Sequence, residues 1–177
     1  MEVKIVSQVL GNLYEDSNRN LSLDSIDIIY IDWFNTRKRI ARYTSLNGRD
    51  IAFRFEKPLA IGLNHGDIVA KDNDIFIAVS ILPVHILTMR VHSNVEIAKL
   101  CYEIGNYHLP LFFGENAFVF KTPFEKPLQR VLDKLCIQYK EEEGILDSKD
   151  RLQVSMVVTE PSLKISQDFK IALNKGK

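Results

Sequence analysis

The sequence has little cysteine and no surplus of charge. Of its 177 residues two are cysteine, and 23 Lys and Arg stand against 23 Asp and Glu. Cys101 and Cys136 lie far apart among apolar neighbours and form no CxxC pair; the count would allow one disulfide, but a core of this size does not need one. They read as two small buried hydrophobes in a reducing compartment. Zero net charge argues against non-specific binding that relies on neutralising phosphates, so nucleic acid is not an expected partner. No apolar run approaches the roughly 18 residues of a membrane span. The N-terminal stretch Met1 to Asn12 lacks the apolar block and small-residue cleavage site of a signal peptide. The expectation is a cytoplasmic protein without a membrane partner.

Catalytic patterns are also missing. The four histidines, His65, His85, His92 and His108, make no HxH, HxxxH or HExxH spacing. There is no glycine-rich phosphate loop, no GxSxG elbow and no deaminase-type HxE with a CxxC. Carboxylates are plentiful, yet no pair is picked out by spacing; Glu141-Glu142-Glu143 reads as a solvated turn before Gly144. Hydrolase or transferase chemistry therefore has no visible machinery, and the expectation is a protein that is not an enzyme.

What is present is core material: 46% hydrophobic residues against 26% charged, enough for one domain or two small ones at roughly 150 residues per domain. Residues 1–82 read as strand after strand. Ile26 to Trp33 mixes alternation with β-branched and aromatic residues, and Asn47-Gly48 between Lys38–Thr44 and Arg49–Phe55 is a strong hairpin signal. Gly62 to Asp67 reads as a turn, and Ile68–Lys71 with Ile75–Leu82 as a second hairpin. No helical stripe appears, so this half is expected to be a small all-β domain.

Near Pro83 the period changes. After a strand at Ile86–Val91, Ser93-Asn94-Val95-Glu96 has capping-box form, and Ile97, Leu100, Cys101 and Ile104 fall on one helical face. Gly105-Asn106 reads as the stop of that helix. Short strands at Leu109–Phe113 and Ala117–Lys121 follow. A second helix carries Leu128, Val131, Leu132 and Leu135, and starts either at Thr122-Pro123 or at Pro127. Arg151–Met156 is read as the last strand. The order β-α-β-β-α-β is the ferredoxin-like plan. The α+β chain is thus expected to hold an all-β domain over 1–82, a ferredoxin-like domain over 83–158, and a tail over 159–177 without histidine.

One histidine stands out by position. His108 follows the first helix and precedes Leu109-Pro110-Leu111-Phe112-Phe113, a helix-to-strand corner where an imidazole stays accessible. His65 falls in a turn, His85 at the junction of the halves, and His92 just before the Ser93 cap, so these three read as structural.

Gly105-Asn106-Tyr107-His108-Leu109-Pro110-Leu111 resembles the GN-x-H-x-P-L signature of the UreE family of urease accessory proteins. The resemblance extends to Trp33-Phe34-Asn35-Thr36-Arg37-Lys38, Gly62 to Asp67, Phe120 to Pro127 and Leu146 to Leu152, and so covers nearly the whole chain. It implies a nickel metallochaperone with a β-rich peptide-binding-like domain before the ferredoxin-like one. It implies a homodimer built through the C-terminal domains, with His108 binding Ni2+ at the interface. The implied partners are the accessory GTPase UreG and apo-urease. A residue near a two-fold axis meets its own copy, so one histidine per chain becomes two ligands per ion. Such a shell stays open for transfer, and it would accept Zn2+ as well as Ni2+.

The chain departs from the family at three places. The tail Thr159–Lys177 holds no histidine, so storage of many ions is not expected. Ser155–Pro161 lacks the single histidine that some tail-less relatives carry, and Tyr107 replaces an arginine common in the motif. Two other functions compete with the metallochaperone. One is a docking scaffold of the urease activation complex with little metal affinity. The other is an RNA-binding module, disfavoured because Glu115-Asn116-Ala117 stands where a basic-Gly-aromatic lead would be needed.

Overall fold

The computed structural model describes residues 3–18 and 21–153. The first half contains β1 (Lys4–Val6), β2 (Gly11–Asn12), β3 (Ile26–Ile31), β4 (Ile40–Thr44), β5 (Asp50–Arg54), β6 (Asp67–Asp72) and β7 (Ile75–Ile81). They make a three-stranded sheet ordered β1-β5-β4 and a four-stranded sheet ordered β2-β6-β7-β3. Both expected hairpins form, β4 with β5 and β6 with β7. Gly48 turns the first at φ 79°, a conformation glycine adopts without steric cost. Short 3-10 turns are the only helical elements described here. Alternating Ile29 and Ile31, Ile51 and Phe53, and Ile77, Val79 and Ile81 meet between the sheets as one core.

A buried carboxylate joins these two sheets. Asp27, on β3, is 1% exposed. It accepts from Ser45 Oγ at 2.6 Å, from the Asn47 amide at 3.1 Å and from Arg49 Nη1 at 2.6 Å, all in the β4–β5 loop. Burial pushes its affinity for a proton up, but the three hydrogen bonds and the Arg49 charge outweigh burial and hold it below the ordinary carboxylate range.

The second half holds β8 (Val84–Arg90), α1 (Asn94–Asn106), β9 (Phe112–Phe113), β10 (Val119–Pro123), α2 (Lys126–Leu135) and β11 (Gln138–Gly144). The sheet order is β11-β8-β10-β9, with every neighbouring pair antiparallel. Leu87, Met89 and Phe120 on one sheet face pack against Leu100 and Ile104 of α1 and Leu128 and Leu132 of α2. The expected cap forms in part: Ser93 Oγ accepts from the Glu96 amide at 3.2 Å, while the Glu96 carboxylate reaches back to the His92 amide instead of that of Ser93. Of the two starts left open for α2, the later one forms, with Pro127 in the first turn, where its missing N–H costs nothing.

Three expectations are corrected. Glu141-Glu142-Glu143 is not a turn but lies in β11, the last sheet strand, paired with Leu87, Ile86 and His85. An edge strand with charged side chains carries no apolar alternation, so only its pairing reveals it. Arg151 accordingly contributes a single bridge, to Phe112, instead of opening a long strand, and residues 154–156 fall outside those described. The strands after α1 are shorter or shifted, because Leu109-Pro110-Leu111 continues as a connection rather than a ladder. The tail 159–177 lies wholly outside the described residues.

The chain does not leave the first half for good at Pro83. After β11 it returns. Leu146 packs with Ile86, Phe112 and Trp33, whose ring meets that of Phe112 edge-on at 6.0 Å. Asp147 Oδ1 accepts from the His65 amide at 3.1 Å, and Ser148 Oγ donates to Thr36 Oγ1 at 3.0 Å. Gly62, at φ 101°, lies so close that a Cβ would sit 2.8 Å from Ser148 Oγ. No described helix is long and apolar enough to cross a membrane.

The Asp27 cluster gives a pH signature. A carboxylate whose folded-state proton affinity is depressed adds stability above its unfolded value near 3.9, and that stability is lost as pH falls through the folded value. Asp27→Ala is expected to lower unfolding stability by about 2–3 kcal/mol at neutral pH. The deficit relative to the unmodified chain should shrink toward acid. Urea melts of both proteins at several pH values check this, and a deficit that is constant with pH would contradict it.

Candidate metal centre

The candidate site grows from the way α1 stops. Tyr107 keeps a right-handed backbone at φ −82° and ψ −1°. His108 then reverses hand at φ 54°. The His108 amide donates to the Gly105 carbonyl at 3.0 Å, and the Leu109 amide to the Ile104 carbonyl at 3.2 Å. These are the two bonds of a Schellman stop, which satisfies the last helical carbonyls by placing one residue in the left-handed region. Ile104 and Leu109 join the same core cluster and supply the apolar contact that accompanies it. The stop expected at Gly105-Asn106 is thus displaced: Gly105 is inside the helix, and the left-handed position falls to His108.

A left-handed backbone costs an ordinary L-residue about 1–2 kcal/mol, although histidine is among the residues enriched there. The result is an imidazole standing exposed at the corner. α2 stops in the same way, with Cys136 at φ 56° and the Ile137 amide donating to the Leu132 carbonyl at 3.0 Å. Cys136 is therefore exposed, and Cys101 half-buried, which corrects the expectation that both are buried.

His108 lines a cavity of about 380 Å³ shared with Cys101, Ile104, Leu109, Leu111 and Arg151. Burial pushes the Cys101 thiol above its ordinary value, so it behaves as a neutral, weakly polar wall. Burial, followed by the nearby Arg37 charge, pushes Arg151 below its ordinary value. Among the described residues no group of three or more His, Cys, Asp or Glu is placed to hold a metal ion. The cavity thus offers one imidazole, which by itself is not a metal shell.

The other histidines are engaged elsewhere. His65 Nδ1 accepts from the Ile81 amide at 3.1 Å, and its ring stacks on Tyr14 at 5.8 Å. His85 stacks on Phe124 at 4.2 Å, with Nε2 3.4 Å from Glu141 Oε2. The His92 amide donates to Glu96 Oε2 at 2.8 Å, so His92 belongs to the cap of α1. None of these three lines the His108 cavity. Sequence reasoning missed Arg151 and Cys101 there. Cys101 precedes His108 by seven residues, two helical turns, and that spacing was a usable signal. Arg151 had none, because the Phe112 bridge brings it in from far along the chain.

Residues 6–82 match the family model described as UreE urease accessory protein, N-terminal domain. The chain is 44% identical over 171 residues to the urease accessory protein UreE of Helicobacter pylori strain Shi470, covering 96% of this chain and 99% of the relative. The proteins of the same name from Helicobacter acinonychis strain Sheeba and Helicobacter hepaticus are 42% and 38% identical over 171 residues. These alignments also cover 96% of this chain, with 99% and 97% of the respective relatives.

The left-handed corner makes its own prediction. His108→Gly is expected to be about 1 kcal/mol more stable than His108→Ala in urea melts, since only glycine occupies this backbone without strain. Equal stability of the two variants would show that the helix does not stop through a left-handed residue 108.

Proposed function

The chain belongs to the UreE family of urease accessory proteins, and on that footing we propose that it is a cytoplasmic nickel chaperone for assembly of the urease metal centre. Two copies form a homodimer, the His108 imidazoles meet near the two-fold axis and share one Ni2+, and the accessory GTPase UreG takes part in passing the ion to apo-urease. Zn2+ fits the same donors. The observation that carries this reading is the exposed His108 imidazole, whose backbone is held by two hydrogen bonds at the end of a rigid helix and which alone among the four histidines lines the cavity there.

The chemistry fits a cargo site better than a resident one. One imidazole per chain holds an ion weakly, two across an axis hold it moderately, and the remaining positions stay open to water or an acceptor's ligands. Nickel accepts imidazole nitrogen with oxygen donors. Exposed Val95, Tyr102 and Tyr107 on and beside α1 offer apolar surface for the dimer contact. We read residues 1–82 as the β-rich domain and 83–158 as a ferredoxin-like domain for dimerisation and metal binding. The β-α-β-β-α-β order and the all-antiparallel sheet support that reading.

Two measurements test it. His108→Ala removes both ligands at once, so calorimetry should lose the event of one nickel per dimer while circular dichroism stays unchanged. The same substitution at His65, His85 or His92 should cost little nickel affinity. Because imidazole must be neutral to coordinate, uptake should also weaken on acidification. A His108→Ala protein that still takes one nickel per dimer with unaltered affinity overturns the assignment and leaves the docking scaffold. Separately, stripping metal with a chelator should leave the dimer largely intact in light scattering; complete conversion to monomer would make the ion a structural clamp.

A further inference from the structure

Two arginines among the described residues are half-buried, Arg49 and Arg151. Arg49 faces two carboxylates, Asp27 at 2.6 Å and Asp72 at 3.6 Å. Arg151 has no ion pair and no side-chain hydrogen bond among the described residues. Its position is nevertheless fixed: its amide donates to the Ser148 carbonyl at 3.2 Å, and the next amide, of Leu152, to the Leu111 carbonyl at 2.8 Å. That anchoring sets Arg151 in the wall of the His108 cavity, which no Asp or Glu among the described residues lines. Arg37 adds positive charge from the other half of the molecule.

A half-buried guanidinium without an ion pair still has donors to satisfy, and its planar fork matches a carboxylate with two parallel hydrogen bonds. A cation beside it would be repelled unless an anion came with it. The rest of the wall, Ile104, Leu109, Leu111 and Leu152, is apolar. It suits the methylenes of a side chain better than a small, strongly hydrated ion.

We propose that this cavity receives an acidic side chain of a partner polypeptide, its carboxylate paired with Arg151 beside the His108 imidazole. The inference deepens the chaperone reading. A carboxylate there gives the ion an oxygen donor that belongs to the acceptor, so docking and transfer happen at one place. Binding of the carboxylate does not itself need the metal, and its test therefore stands apart from nickel.

The test uses the full chain, metal-free, titrated with a capped Leu-Glu-Leu peptide, its Leu-Gln-Leu counterpart and free glutarate, and followed by calorimetry and through the Leu152 backbone amide resonance by NMR, a reporter that every variant retains. The Glu peptide should bind about tenfold more tightly than the Gln peptide, the worth of one charge-assisted bidentate pair. It should also bind more tightly than glutarate. Arg151→Met should abolish the Glu-over-Gln preference and Arg151→Lys keep part of it, with circular dichroism confirming that both fold. His108→Ala should keep the preference, so failure of the nickel assignment would leave this result intact. Equal binding of the two peptides, or a preference that survives Arg151→Met, overturns the proposal. Glutarate matching the Glu peptide would make the ligand a small carboxylate and overturn the choice of a polypeptide.

Discussion

The candidate site depends on one constraint, that the last carbonyls of α1 must be satisfied. Meeting it through the Schellman bonds forces a single residue into the left-handed region, and that residue is His108. The reversal turns the chain away from the helix axis and leaves the imidazole outside the core. The helix behind it is rigid because Leu100 and Ile104 are buried against the sheet. A strained backbone at a candidate functional side chain is a common association, since rigidity of the surroundings is what lets the strain persist.

The cavity beside that corner is an assembly of distant pieces. α1 supplies Cys101 and Ile104, the connection after it supplies Leu109 and Leu111, and the return segment after β11 supplies Arg151. The return segment is held at both ends of its path. Asp147 and Ser148 bond to the β-rich half, while Arg151 bridges Phe112 of the other half. The position of Arg151 therefore depends on how the two halves sit together. Gly62 belongs to the same arrangement, because a side chain there would meet Ser148.

Much of the local architecture was legible. The 3.6-residue spacing of Ile97, Leu100, Cys101 and Ile104 marked α1, and Ser93 with Glu96 marked its start, because helix periodicity and capping are short-range effects. Asn47-Gly48 marked a hairpin for the same reason. Where the stop of α1 was misread, two neighbouring candidates competed: Gly105 is the better left-handed residue in isolation, but packing of buried Ile104 and half-buried Leu109 in one core cluster favours closing the helix at His108. β11 was illegible because a charged edge strand carries no periodic apolar signal. The Asp27 cluster was equally hidden, since a lone aspartate in an apolar strand does not reveal that a loop from another sheet will cover it with donors.

By itself, then, the sequence determined the two hairpins of the first half, the two helices of the second, the change of period near Pro83, and the singling out of His108 by its place between a helix and a Pro-Leu connection. Those features follow from side-chain periodicity and backbone preference within a few residues. Tertiary structure alone decided that His108 takes the left-handed position, that the acidic run becomes the edge of the sheet in the second half, and that Arg151, without an ion pair among the described residues, lines the His108 cavity. Each of these turns on tertiary packing: the Ile104 and Leu109 pair set into the core, a strand partner far along the chain, and a returning segment pinned between two halves. Contacts across scores of residues leave no periodic trace in the chain that makes them.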